Sequence, residues 1–222
     1  SLSSSSFPPR FPGIFMQKKC IIPLHFSYCI IIRRKYKQFF LLVQYKNFSI
    51  VAFYAEMHFS YLHISPLDTA TIELKQDVRD MCAQGCQQYA KRWSCPPGCG
   101  TLDQLRGSIY CYKEGILVQT VTKLEDEFDW DGMMKAQNLH QEHFLAFLEK
   151  LHASHFSFLP LGTGCCMLCK TCTYPDAPCR FPRKRISSME ACGMLVSEVC
   201  QKNNLKYYYG PNTLAYVACV LM

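Results

Sequence analysis

The stretch that decides the reading is Cys165-Cys166-Met167-Leu168-Cys169-Lys170-Thr171-Cys172, which runs on to Cys179 and Cys192. Cys166, Cys169 and Cys172 are spaced two residues apart, and Cys179 follows after six more. Packing does not require thiols at every third position, because free cysteine behaves as a small buried hydrophobe. A loop wrapped around a metal or an iron–sulfur cluster does require them, since each thiolate must turn inward.

Upstream lies a second group, Cys82-x3-Cys86-x8-Cys95-x3-Cys99. The segment Trp93-Ser94-Cys95-Pro96-Pro97-Gly98-Cys99-Gly100 must be a loop, since two prolines remove donors and two glycines loosen the chain. Cys111, Cys200 and Cys219 sit in apolar surroundings and read as buried thiols.

Two chemistries fit the groups. Zinc takes four ligands tetrahedrally, and paired thiolates satisfy it. The C-x2-C-x2-C run is the ferredoxin-type wrap, in which successive cysteines reach different irons of one 4Fe–4S cubane. Three such cysteines are redundant for one zinc in a short loop, so iron–sulfur is favoured and zinc is the alternative. Gly162 and Gly164 would let backbone approach the centre and present N–H donors to its sulfurs. Ser187-Ser188-Met189-Glu190 has a capping-box pattern that predicts a helix to about Asn203. Cys192 would then lie in its first turn, where the helix dipole favours a thiolate. The basic run over residues 180–185 reads as a solvated loop, or as a counter-charge to a thiolate centre and a docking point for a protein partner. His140, His143, His152 and His155 show no convincing ligand spacing.

The chain has 222 residues with 49% apolar content, enough for one domain with a core. Its formal charge of +7 is misleading. Residues 1–56 hold eight Lys/Arg against Glu56, and the rest is balanced at 16 basic and 16 acidic. Nucleic-acid binding is therefore not expected. Fifteen cysteines, an odd number in CxxC-type spacing, argue for reduced ligand thiols in a cytoplasm over a secreted disulfide framework. No apolar run reaches the roughly 20 residues of a membrane span. Residues 1–56 are an atypical basic and aromatic extension. A signal peptide, a membrane-surface anchor and a true structural extension are alternatives to the favoured reading, that this stretch is not native coding sequence or is disordered. Residues 57–222 form the cysteine-rich domain.

The remaining periodicities predict helix from Asp77, a short helix capped by Thr101, and a strand within Ile109–Val121. A long helix over Gly132–Ser154 follows, then strands at Phe156–Leu161, Leu205–Tyr209 and Leu214–Leu221. The expected fold is α/β or α+β, with a small mixed sheet covered by two main helices and cysteine-rich metal-binding loops.

The pattern Cys82…Cys86…Trp93-Ser94-Cys95-Pro96-Pro97, Gly162-x-Gly164-x-Cys166-x2-Cys169-x2-Cys172…Cys179-Arg180-x-Pro182 and Ser188-Met189-Glu190-Ala191-Cys192-Gly193 resembles the predicted metal-binding proteins of DUF2284. These are mostly bacterial and archaeal, with no assigned reaction. The resemblance covers about residues 70–222 and implies one cysteine-rich domain with a metal or iron–sulfur centre. It implies Cys82, Cys86, Cys95, Cys166, Cys169, Cys172, Cys179 and Cys192 as ligands. Cys165 and Ile186 stand where the family has proline, and Cys99 is an additional thiol. Cys179 and Cys192 compete for the fourth place beside Cys166, Cys169 and Cys172.

Overall fold

Residues 61–153 and 157–222 are described by a computed structural model, and the readings made for residues 1–56 lie outside them. The elements run β1 (His63–Asp68), α1 (Gln76–Gly85), α2 (Leu102–Ile109), β2 (Glu114–Lys123), α3 (Trp130–Ala153), β3 (Leu159–Gly162), β4 (Ser187–Ser188), α4 (Val196–Lys202) and β5 (Thr213–Leu221). The five strands form one sheet in the order β1-β2-β5-β3-β4. All pairings are antiparallel except β3 with β4. The expected α+β fold with a small mixed sheet is what the chain adopts.

Strand alternation assigns the two faces of the sheet. Ile116 and Val118 of β2 and Ala218 and Val220 of β5 pack against Phe144, Phe147, Leu148 and Leu151 of α3. Leu117, Val217, Cys219 and Leu221 face the opposite way, into a core with Ile109, Met189, Cys192, Met194 and Cys200. Both faces are covered, so the central strands read as continuous apolar runs.

Local caps match their sequences. Gln104 N–H donates to Thr101 Oγ1 at 3.3 Å, and Thr101 N–H donates to Gln104 Oε1 at 2.9 Å. This reciprocal pair opens α2. Gly132 N–H donates to Asp129 Oδ1 at 2.8 Å at the start of α3. That bond and one from Glu125 N–H hold the Asp129 carboxyl below its ordinary range.

Three expectations are corrected. Ser187-Ser188 does not cap a helix; it forms β4, in register with Leu161 and Gly162. Ser188 Oγ does accept the N–H of Ala191 at 3.1 Å, but the chain then turns through Gly193 at φ +88°, and α4 begins only at Val196. Met189, Ala191, Cys192 and Met194 are all buried, which no single helix stripe allows. Leu205–Tyr209 is not a strand. Both edges of β5 are already taken by β2 and β3, leaving no ladder for a hairpin partner. The segment is held instead by buried Gln119, which donates to Lys206 O and accepts from Tyr209 Oη, both at 2.8 Å. Cys111 is exposed after α2, with Sγ donating to Gly107 O at 3.0 Å. One strand is additional to the expectations. β1 contains Pro66, which is tolerated because β1 lies at the sheet edge.

His140 of α3 is fully buried, with Nδ1 2.9 Å from Thr120 Oγ1. Burial, and then the nearby His143, lower its pKa from 6.5 to about 4. The unfolded imidazole therefore takes up its proton at a higher pH than the folded one. Stability is fully present above pH 6.5 and falls as the pH drops toward about 4. Between pH 7 and 5, the wild type should lose about 1–2 kcal/mol more stability than His140→Leu in urea titrations. Equal pH dependence in the two proteins would refute this.

Candidate metal centre

Two loops build the site. The first leaves the end of α1 and folds into successive turns, with Ala90 N–H donating to Pro96 O at 2.8 Å and Cys99 N–H to Cys95 O at 3.0 Å. The second follows β3. They dock closely. Cys166 N–H donates to Ser94 Oγ at 3.1 Å, and Arg92 Nη1 donates to Cys166 O at 3.0 Å. Trp93 Nε1 donates to Ala177 O at 2.9 Å, and its ring meets Tyr174 edge-on at 4.9 Å. Gly98 makes this approach possible, since a Cβ there would lie 2.8 Å from both Arg92 O and the Tyr174 ring.

Between the loops is a hollow whose lining includes Cys166, Cys169, Cys172 and Cys179, with Arg92, Trp93, Phe181 and Arg185. Cys179 thus joins the three regularly spaced thiols, whereas Cys192 does not line this hollow. Burial raises the Cys172 pKa, but N–H groups of Trp93, Tyr174 and Thr173 and the charge of Arg92 outweigh it and leave the thiol below its ordinary value. Amide donors around a sulfur are what a bound thiolate requires.

The other thiols gather behind. Arg79, Cys82 and Cys86 recur at three and four residues along α1 and its C-cap, on one face. Burial raises the pKa of Cys82, Cys95, Cys99 and Cys192, that of Cys95 to about 11. Neighbouring thiolates add to the rise: Cys86 and Cys99 act on Cys82, Cys165 and Cys86 on Cys95, and Cys99 on Cys192. The expected dipole activation of Cys192 is overturned. Cys192 lies in a buried turn before α4, and burial raises its pKa.

Arg79 answers this crowding. It is only 7% exposed, and its Nη2 donates to Cys99 Sγ at 3.9 Å. Among the described residues it has no carboxylate salt bridge. A buried guanidinium needs an anion, and a thiolate-ligated centre supplies one. Arg185 acts on Cys99 and Cys192 and also lines the first hollow, so it stands between the two thiol groups. The donor set therefore fits a metal centre. Among the described residues no three His, Cys, Asp or Glu side chains converge tightly enough to hold one ion; the thiols surround a space instead.

Gly162 and Gly164 are placed differently. A Cβ on Gly162 would meet Ile186 at 3.2 Å, so its smallness serves close packing against that side chain. Gly164 has φ +62° and faces Gln137 and Gln141. Arg79, Arg92 and Ser94 carry roles that sequence reasoning did not assign. Their signal was weak, with Arg79 one turn before Cys82 and Arg92 directly before the Trp93-Ser94-Cys95 motif.

Residues 65–222 match the family described as predicted metal-binding protein, DUF2284. The chain belongs to this family. No curated protein and no solved structure matches it. In this DUF2284 member both cysteine loops and the whole sheet except His63 and Ile64 of β1 fall within the match.

Ser94 is 1% exposed, so Ser94→Ala would leave the Cys166 N–H without its acceptor. The substitution should cost about 1–3 kcal/mol in urea unfolding. Unchanged stability would show that the loops do not depend on this bond.

Proposed function

We propose that this protein holds one or two thiolate-ligated centres, 4Fe–4S clusters, in a redox or accessory role. The observation that carries the reading is the hollow lined by Cys166, Cys169, Cys172 and Cys179. Its N–H donors and arginines suit bound thiolates. A single zinc ion draws four sulfurs to about 2.3 Å from one point, whereas a cubane keeps them apart because each meets a different iron. The C-x2-C-x2-C spacing of Cys166, Cys169 and Cys172, redundant for one zinc in a short loop, supports the cluster. Cys82, Cys86, Cys95 and Cys192 would form the second set, with Cys99 beside them. When bound, a cluster supplies one-electron transfer at a potential tuned by hydrogen bonds and burial.

The chain's own residues supply the rest. Arg79, Arg92 and Arg185 balance thiolate charge. Trp93 and Phe181 limit water at the hollow. Arg180 is tied back to Thr171 O at 2.8 Å, while the exposed Arg183 of the 180–185 run can meet an acidic protein partner. The proposal places the function in residues 57–222 and in a reducing, cytoplasmic setting. Among the described residues no helix is long and apolar enough to cross a membrane.

The full chain purified without oxygen should be brown, with iron and acid-labile sulfide in near-equal amounts. Cys169→Ser should remove about one cluster's worth of iron and sulfide. A colourless protein with stoichiometric zinc would replace the cluster by a zinc-stapled module.

A further inference from the structure

A second pocket adjoins the cysteine loop on its other side. Its walls come from α3, the end of β3, the loop itself and the basic run. The cavity has a volume of about 120 Å³ and opens to solvent on one side, so it suits a small ligand that is only partly enclosed. Phe144, Leu145, Met167, Leu168 and Ile186 make the lining mainly apolar. Leu145, Met167 and Leu168 are exposed despite their size.

Polar side chains also belong to the lining. Thr163 is only 8% exposed, lines the pocket, and its Oγ1 has no hydrogen-bond partner. A buried hydroxyl without a partner costs free energy, so a ligand atom that pairs with it would be favoured. Lys184 lines the exposed rim and has no acidic partner among the described residues. No acidic side chain lines the pocket. Gln141 Nε2 donates to Thr163 O at 2.9 Å, which fixes the floor to α3.

We infer that this pocket binds a small, mainly apolar carboxylate carrying one further hydrogen-bonding atom at the end remote from its charge. The carboxylate meets Lys184 at the rim, the apolar body lies on Phe144 and Ile186, and the remote polar atom pairs with the Thr163 hydroxyl. Cys166 lines both this pocket and the thiol hollow, so the ligand would rest against the loop that carries the proposed centre. The inference stands on the pocket's own chemistry and does not require the identity of the metal.

Calorimetric titration of the full chain with three matched probes tests it. 4-Hydroxyphenylacetate should bind, phenylacetate should bind about tenfold more weakly because Thr163 stays unpaired, and tyramine should not bind measurably. Lys184→Glu should reverse the preference between 4-hydroxyphenylacetate and tyramine. Thr163→Val should erase the difference between the two acids. Equal affinity for acid and amine, or no binding of 4-hydroxyphenylacetate, overturns the inference. Iron and sulfide measured on the same samples separate the two readings: a loaded protein that binds no acid refutes only this one, and acid binding by a protein without iron leaves it standing.

Discussion

The peptide of Cys166 is gripped on both sides by one turn. Ser94 accepts its N–H and Arg92 donates to its carbonyl. Every other feature of the site follows from that grip. It fixes the second cysteine loop against the first, so thiols separated by some 70 residues of chain share one region. It seals Trp93 onto Ala177 and Tyr174. It also leaves the opposite wall of the loop facing α3, where the apolar pocket forms. The sheet and α1 serve as the frame, since β3 delivers one loop and the end of α1 delivers the other.

Charge is the second constraint. Thiols packed this densely raise one another's pKa, and burial raises them further. Arginine is suited to relieve this, because its guanidinium stays protonated when buried. Arg79 is committed to the rear group and Arg92 to the front, with Arg185 between. The half-buried Glu190, its pKa raised by burial, acts on Cys82 and Cys192. Cations placed inside a cysteine cluster make chemical sense only if the sulfurs carry negative charge.

Much of this was legible in the sequence, for reasons that differ by element. β2 and β5 were visible as apolar runs, and α3 by its period, because burial on regular elements leaves a regular pattern. Thr101 was visible because its cap is local. The Ser188 cap misled, since the same side-chain bond can open a helix or stabilise a tight turn, and only the buried side chains around Cys192 decide between them. Leu205–Tyr209 carries strand propensity but loses to topology, as β5 has no free edge. Spacing singled out Cys166, Cys169 and Cys172 but left Cys179 competing with Cys192, and only the folded hollow puts Cys179 beside the three. Arg79, Ser94 and the Thr163 pocket were not, because each depends on contacts between segments far apart in the chain.

β5 lies in the middle of the sheet yet follows every other strand in sequence. Synthesis therefore makes both cysteine loops before the strand that completes their support. Cys192 and Cys219, fully enclosed once β5 is seated, are open to solvent until then. The order of strands thus makes the enclosure of Cys192 and Cys219 a late event, reached only when the last-made strand takes the central place in the sheet.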